Sequence, residues 1–246
     1  MTETNWHWFY VACMAAGALL FVLWSRDPKR VPQYEYAIAI FIPVWSGLAY
    51  TAMALDMGTI EVAGRTVYLA RYLDWVVTTP LLLFALGSTG MFFRPLDKTT
   101  LATLMGLDVV MILSGLLADL STEPTQQWFW YITGCVCLAL ILSILWGRVR
   151  REAYAHNEEI GKAYTKLAGY FTLLWFGYPL VWALGPSGLG VLGNDVALFV
   201  ILPIFSKVGF SIFDLYELRK LAPKYPDLDE EDPRARRRQT AAGSAE

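Results

Sequence analysis

The sequence predicts an all-α bundle of seven transmembrane helices. Of the 246 residues, 56% are hydrophobic and only 17% are charged, whereas a soluble domain carries about a quarter charged residues. The apolar residues fall into long blocks, and a helix needs about 20 of them to cross a hydrocarbon core roughly 30 Å thick. Seven blocks meet that length: 5–25, 34–55, 67–90, 100–119, 127–147, 164–184 and 195–219.

Each block is expected to be a helix, because lipid requires every backbone polar group to be paired within the protein. No ten-residue alternation of polar and apolar residues supports membrane strands. The first block is not preceded by a basic segment and is not followed by a small-residue cleavage site. It therefore predicts a retained helix rather than a signal peptide. Cys13, Cys135 and Cys137 lie inside blocks and indicate neither a disulfide nor a metal site.

Basic residues cluster at alternate connections and predict the orientation. The clusters are Arg26, Lys29 and Arg30; Arg94 and Lys98; Arg148, Arg150, Arg151, Lys162 and Lys166; and Arg219, Lys220, Lys224 and the Arg234–Arg238 run. The opposite connections carry a single basic residue, Arg65. The positive-inside rule then places the N-terminus outside and the C-terminus in the cytoplasm, which agrees with an odd number of helices.

The chain is predicted to hold one membrane domain, 1–221, followed by a disordered cytoplasmic tail, 222–246, rich in Pro, Asp, Glu and Arg. Most connections are short, so consecutive helices should be neighbours in an up-down bundle. The second outer segment, Asp56–Thr66, contains two glycines and predicts a small hairpin or cap. The fifth-to-sixth connection, Arg148–Lys166, predicts a long charged loop.

Lys207 is the most informative single residue. It lies about ten residues from either end of the last block, roughly 15 Å from water at 1.5 Å per residue. Its stem cannot reach the interface, so the amine must be paired, neutral or covalently modified. A lysine in an apolar pocket forms an imine with an aldehyde; a structural ion pair is the alternative. Asp74, which shares a helical face with Thr78 and has Arg71 one turn outward, is the best partner.

Two sequence motifs resemble those of one family. The third block reads Arg-Tyr-x-Asp-Trp-x-x-Thr-Thr-Pro over 71–80, and the sixth reads Trp-x-x-Tyr-Pro-x-x-Trp over 175–182. An aromatic stripe such as the second is often plain core, but beside a buried lysine it can wall a polyene. Both motifs resemble the microbial rhodopsins of the bacteriorhodopsin type, and the resemblance extends over about 36–218.

The resemblance implies a retinal site. It implies all-trans-retinal bound covalently to Lys207 as a protonated Schiff base, with Asp74 as the counterion. Trp75 and Trp182 would sandwich the polyene, and Trp130 would enclose the ring end with Trp175 and Tyr178. The remaining pocket residues would be Thr79, Met111, Gly115 and Pro179.

The polar positions along the proton path differ from those of an outward pump. In such pumps a carboxylate eleven residues past the counterion is the cytoplasmic donor, and here that residue is Ala85. A second counterion aspartate stands one turn before the lysine, and here that residue is Pro203. Asp214 follows Lys207 by seven residues, or about 700° of helix, and so shares its face on the cytoplasmic side; a solvated helix end is the alternative. This set resembles the xenorhodopsins and the related sensory rhodopsin that signals to a soluble transducer.

The function implied by that resemblance is light-driven inward proton transport. Loss of one of two outer anions weakens the pull on the imine proton towards the outside, and Asp214 could accept it inside. The alternative is a photochromic sensor that recruits a cytoplasmic transducer. We expect neither an enzyme nor nucleic-acid binding. The expected protein is a multi-pass homo-oligomer of the cell membrane whose partners are lipid and protons.

Other polar residues receive lesser roles. By the resemblance, Asp108 should bond Thr79 across two helices, in a structural and spectral role rather than as a proton carrier. Asp195 should cap the N-terminus of the seventh helix, and could join Arg71 in an outer proton network. Four residues at the membrane edges are assigned no role and are expected near the surface: Asp56, Asp119, His7 and His156.

Overall fold

The computed structural model describes residues 2–92 and 94–225. Among them are seven helices long and apolar enough to cross a membrane, as predicted. They are α1 Glu3–Ser25, α2 Gln33–Ala54, α3 Leu69–Gly90, α4 Lys98–Leu120, α5 Pro124–His156, α6 Glu158–Leu184 and α7 Val196–Lys224. The last turn of α7, Ala222–Lys224, is a 3₁₀ helix, so the helical domain continues past the predicted boundary at 221. Most of the predicted tail, 226–246, lies outside the described residues.

The helices form a closed bundle around α3. Consecutive helices from α1 to α5 pack against one another, and α7 returns to contact α1. Helix α3 also contacts α6 and the second half of α7, which makes it the most enclosed of the seven. Large apolar side chains such as Leu19, Phe129 and Leu173 point outward and are more than half exposed. An apolar outer surface of this kind suits contact with lipid.

A β-hairpin joins α2 to α3 and confirms the predicted hairpin. Its strands are β1 Ile60–Val62 and β2 Arg65–Val67, antiparallel, with Ile60 opposite Val67. Ala63 and Gly64 between them have φ of 50° and 76°. Positive φ at both central residues is what a two-residue type I′ turn requires. We call this end of the bundle the hairpin side, and the end where α7 finishes the tail side.

The predicted long loop between the fifth and sixth helices is wrong. Helix α5 continues to His156, and only Asn157 separates it from α6. The Asn157 side chain accepts hydrogen bonds from the backbone N–H groups of Glu159 (2.8 Å) and Ile160 (3.2 Å), which starts α6 with an N-cap. The charged residues that suggested a loop lie on helical faces instead, where Glu158 pairs with Lys162 one turn away.

Helix α7 is widened at its centre. Residues Ile204–Gly209 form a π-helical segment, a feature that often marks functional sites. Pro203 has no backbone N–H and cannot donate the helical hydrogen bond to the Phe199 carbonyl. The Tyr50 hydroxyl donates to that carbonyl instead, at 2.7 Å. The Tyr170 hydroxyl donates to the Phe205 carbonyl inside the segment at 3.0 Å. Hydroxyls from α2 and α6 therefore hold α7 in the irregular turn that carries its lysine.

Asp97 starts α4 and supports a stability prediction. Its carboxylate accepts from the backbone N–H groups of Thr99 and Thr100, both at 3.1 Å, and from the Thr100 hydroxyl at 2.7 Å. We expect Asp97→Ala to lower the free energy of unfolding by about 1 kcal/mol, because it removes the cap. Thermal denaturation at neutral pH would measure this. Asp97→Asn is the matched control, since asparagine caps about as well.

The same residue gives the prediction a pH dependence. The Thr100 hydrogen bonds, and then the Arg148 guanidinium 2.7 Å away, hold the pKa of Asp97 below its ordinary value. A lowered folded-state pKa means that the carboxylate stabilises the fold above about pH 4 and loses that contribution as the pH falls through the folded value. The stability gap between wild type and Asp97→Ala should therefore shrink on acidification. A gap that stays constant to pH 2 would contradict this account.

Candidate functional site

The buried lysine and its carboxylate partner are brought together as the sequence predicted. Lys207 is only 1% exposed. Its ammonium contacts the Asp74 carboxylate in a wholly buried ion pair and donates to the Ser46 hydroxyl at 2.9 Å. Buried charges persist only when they are paired and hydrogen-bonded. The ion pair by itself is compatible with two roles for Lys207, a structural one and that of an amine that reacts with an aldehyde. The residues around the pair distinguish these roles.

Two hydroxyl groups that sequence reasoning missed complete this cluster. Ser46 on α2 donates to Asp74 Oδ2 at 2.8 Å and lies 2.6 Å from the Tyr10 hydroxyl of α1. The predicted neighbour Thr78 donates to Asp74 Oδ1 at 3.2 Å and to the Asp74 carbonyl at 2.8 Å. Four helices thus contribute to the ion pair. Serine and tyrosine are common in apolar helices, so nothing in the sequence marked these two.

An apolar cavity lies between the helices, and residues adjoining the ion pair contribute to it or bond its wall. Of the predicted pocket residues, all but one line it: Trp75, Thr79, Met111, Gly115, Trp175, Tyr178, Pro179 and Trp182. Trp75 follows Asp74 in the chain, and the Tyr178 hydroxyl is 2.6 Å from the hydroxyl of Ser206, which precedes Lys207. The chain neighbour of Asp74 therefore forms part of the cavity wall, and the chain neighbour of Lys207 is hydrogen-bonded to another residue of that wall.

Trp130 is the exception, and its predicted place in the pocket is wrong. The adjacent Tyr131 lines the cavity instead, together with Gly134 and Cys135. Trp130 is half-buried and meets Phe129 edge to face. Consecutive residues on a helix point about 100° apart, so a displacement of one residue moves a ring out of the cavity. The Tyr131 ring stacks on Trp182 with centroids 4.7 Å apart.

The predicted bond between α3 and α4 is present. The Thr79 hydroxyl donates to Asp108 Oδ2 at 2.6 Å, and Asp108 is fully buried. One further carboxylate of α4 was missed, because its place near the end of the helix suggested a surface residue. Asp119 is buried and accepts from the Tyr72 hydroxyl at 2.6 Å and from the Trp182 indole N–H at 2.8 Å.

A pair of buried carboxyl groups lies on the tail side. Asp214 is 3% exposed and accepts from the Thr89 hydroxyl at 2.6 Å. The alternative of a solvated helix end is therefore wrong. Glu35 of α2 is equally buried and accepts from the Ser88 hydroxyl at 2.7 Å. Consecutive residues of α3, Ser88 and Thr89, therefore donate to the two acids. Glu35 is the second missed carboxyl group, since it stands near the start of its helix, where an acid is usually solvated.

On the hairpin side, Arg71 is buried between aromatic rings. Its guanidinium carbon lies 4.4 Å from the Tyr68 ring centre and 4.6 Å from that of Phe199. The expectation that His7 lies at the surface is wrong, because it is 2% exposed and its ring contacts those of Tyr50 and Tyr68. An aromatic layer thus surrounds the arginine that stands one turn from Asp74.

Asp195 occupies the position before α7 but does not cap it. Its side chain makes no cap hydrogen bond, and Asn194 Oδ1 accepts from the Val196 N–H at 2.9 Å instead. The predicted capping role of Asp195 is therefore wrong. Burial raises the pKa of the Asp195 carboxyl, and the nearby Arg71 opposes part of that rise. The part of Asp195 in an outer proton network with Arg71 stays a prediction.

The arrangement suits one kind of ligand. A buried lysine with its own carboxylate is connected through neighbouring residues to the wall of an aromatic cavity. This arrangement suits a long apolar aldehyde, which could join the amine and leave the carboxylate beside the resulting cation. The fold and site together define a seven-helix membrane protein with a buried lysine–carboxylate pair and an aromatic-walled cavity.

Comparison with known proteins gives the family. Residues 1–221 match the family model described as bacteriorhodopsin-like protein. Bacteriorhodopsin of Haloterrigena sp. (strain arg-4) is 36% identical over 218 residues, which cover 85% of this chain and 86% of that protein. Sensory rhodopsin-2 of Natronomonas pharaonis is 31% identical over 214 residues, 86% and 87% of the two chains. The solved light-driven proton pump of Coccomyxa subellipsoidea superposes with a TM-score of 0.77 at 31% identity, covering 87% and 96%.

The chain therefore belongs to the bacteriorhodopsin-like family, the type 1 microbial rhodopsins. It is a multi-pass protein of the cell membrane and a member of a family of retinal photoreceptors that includes pumps and sensors. The residues of the cavity fit retinal, because the wall is nearly all apolar and its Tyr178 hydroxyl is hydrogen-bonded to Ser206, the residue before the buried Lys207.

Proposed function

We propose that this protein is a light-driven inward proton pump whose all-trans-retinal is bound to Lys207 as a protonated Schiff base. The hairpin side faces the outside and the tail side faces the cytoplasm, as the basic residues of the tail-side connections require. The observation that carries the direction is the buried pair Asp214 and Glu35, which provides a proton-accepting site on the cytoplasmic side of Lys207.

Asp74 is the counterion in this proposal. The Lys207 Nζ atom stands where the imine nitrogen would be, and Asp74 and Ser46 already contact it. Bound retinal supplies a light-driven isomerisation that changes the side towards which its imine proton is directed. Asp74 stabilises the positive charge in the dark, and Ser46 and Tyr10 hold the carboxylate in place.

The inward direction follows from which acids are missing and which are present. Pro203 provides no second anion near Lys207, so the pull towards the hairpin side is weaker than two carboxylates would give. Ala85 cannot donate a proton from α3. Asp214 follows Lys207 by seven residues, about 10 Å along the axis, and can take up the proton with Glu35 beside it. Arg71 and Asp195 then form the route by which a proton returns from the outside.

Illumination of cells that express the protein tests the direction. We expect the unbuffered medium to become alkaline in the light, and a protonophore to abolish the signal. Asp214→Asn should lower the initial rate at least about tenfold, because a positioned proton acceptor contributes about a hundredfold or more. The dark colour should hardly change. Asp97→Asn, which alters an acid at the α4 surface on the tail side, is the matched control and should transport normally.

The outcomes separate three functions. Acidification of the medium would mean outward transport and would reject the proposal. A normal rate in Asp214→Asn would leave inward transport standing and remove Asp214 from it. No pH change with an intact photocycle would favour the alternative, a light sensor, which the similarity to sensory rhodopsin-2 supports. A sensor would be expected to bind a cytoplasmic transducer on its basic tail-side surface, and either protein could assemble as a homo-oligomer.

A further inference from the structure

Asp119 lies in the last turn of α4, outside the proton path described above. Its two oxygens are used separately. Oδ2 accepts from the Tyr72 hydroxyl of α3 at 2.6 Å, and Oδ1 accepts from the Trp182 indole N–H of α6 at 2.8 Å. Both donors line the cavity. One carboxylate of α4 therefore connects two walls of the cavity that belong to different helices.

The bond to Trp182 uses Oδ1 as an acceptor. An indole N–H only donates hydrogen bonds. The Oδ1 atom must therefore present a lone pair to Trp182. Arg65 also reaches this point from the hairpin, because its Nη2 donates to the Ser121 carbonyl at 3.2 Å. A cation at the C-terminus of α4 suits the helix dipole.

Trp182 is fixed from two directions. Its ring stacks on Tyr131 at an interplanar angle of 15°, and the Tyr131 hydroxyl donates to the Pro179 carbonyl at 3.1 Å. Stacking acts on the face of the indole and does not engage its N–H. The hydrogen bond to Asp119 adds a directional contact at the edge of the ring. The orientation of this cavity wall therefore depends on a group that itself does not line the cavity.

We propose that Asp119 is a positioning residue that holds Trp182 and Tyr72 in fixed orientations across the chromophore cavity. This inference rests on the proposed retinal binding at that cavity. In this proposal Asp119 acts through the two side chains that donate to it, Tyr72 and Trp182, and not through the ion pair of Lys207. Its loss should therefore loosen the grip on the chromophore without removing the chromophore.

The test uses Asp119→Asn, Trp182→Phe, Tyr72→Phe and the double variants that combine Asp119→Asn with each. Ultraviolet resonance Raman spectra of the purified full chain, with and without retinal, report the hydrogen bond of Trp182 after subtraction of the Trp182→Phe spectrum. Hydroxylamine bleaching in the dark reports how well the chromophore is enclosed. We expect Asp119→Asn to weaken the indole hydrogen bond, shift the absorption maximum and speed bleaching about tenfold, the equivalent of one charge-assisted hydrogen bond.

The controls decide between positioning and general destabilisation. Asp56→Asn changes an exposed hairpin-side acid and should behave as wild type. Asp119→Asn should have much less effect on bleaching in the Trp182→Phe background, because the donor is already lost. An equal effect in both backgrounds, or an unchanged indole signal in Asp119→Asn, would overturn the inference. If Asp119→Asn does not assemble, Trp182→Phe and Tyr72→Phe must each speed bleaching, and failure of either to do so overturns the inference. A wild-type protein that forms no pigment would instead reject the proposed function, while the indole signal without retinal would still test Asp119.

Discussion

Lys207→Ala is expected to give a protein with no visible absorption band when it is produced in the presence of retinal. The variant removes the amine to which the chromophore would be joined, and no other described lysine is buried. Absorption spectra of the purified protein would measure the loss. Lys162→Ala, which changes a lysine on the surface of α6, should keep the full band. A visible band in Lys207→Ala without any added amine would reject the attachment site.

The same substitution has a second consequence that must be separated from the first. Without Lys207 the Asp74 carboxylate remains buried and unpaired, which costs about 3–5 kcal/mol of stability. The double variant Lys207→Ala/Asp74→Asn removes both charges and should recover most of this stability, as thermal denaturation followed by circular dichroism would show. Because the double variant should remain colourless, it distinguishes loss of the attachment point from loss of the fold.

The sequence was sufficient for the membrane helices, and it failed where charge was taken as a sign of exposure. The charged stretch between the fifth and sixth helices looked like a loop, yet Asn157 alone interrupts the helix there. Charges beyond the lipid boundary carry no information about backbone conformation, because water accepts them on a helix as readily as on a loop. The N-cap asparagine was the local signal that could have placed the break.

The site was predictable where residues share a helix and less so where helices meet. Asp74 and Thr78 follow from spacing alone, and Lys207 from its depth. Asp119 and Glu35 were missed because each lies near a helix end, where an acid is ordinarily solvated. Only the packing of α4 against α3, and of α2 against α3, encloses them. That packing is a property of the whole bundle, and the residue pattern of a single helix does not predict it.

Trp130 illustrates a different difficulty. Several aromatic residues follow one another at the start of α5. A family resemblance identifies which of these rings faces the cavity only if the two sequences are aligned to the exact residue. The structure places Tyr131 at the cavity, and its ring stacks on Trp182. The phenol also has a hydroxyl, which reaches the Pro179 carbonyl. A tryptophan at that position could not donate in the same way, so the choice of ring bears on how α5 and α6 are joined.

Asp74→Asn is expected to move the absorption maximum to longer wavelength and to lower the pH at which the pigment loses its imine proton. The carboxylate stabilises positive charge held close to the nitrogen, and light excitation spreads that charge away from it. Removing the anion therefore raises the ground state more than the excited state and narrows the gap. Ser46 remains in contact with the nitrogen position but carries no charge. Breaking a buried pair costs about 3–5 kcal/mol, which corresponds to a titration midpoint about 2–4 pH units lower.

Asp108→Asn is the matched control for this prediction. Asp108 is as deeply buried as Asp74 and also accepts from a threonine of α3, but its partner is Thr79 rather than the cluster around Lys207. Its substitution should shift the colour slightly and leave the titration midpoint in place. Spectrophotometric titration of both variants beside wild type makes the comparison. If Asp74→Asn titrates as wild type, another group holds the counter-charge, and the central ion pair of the site has been assigned the wrong role.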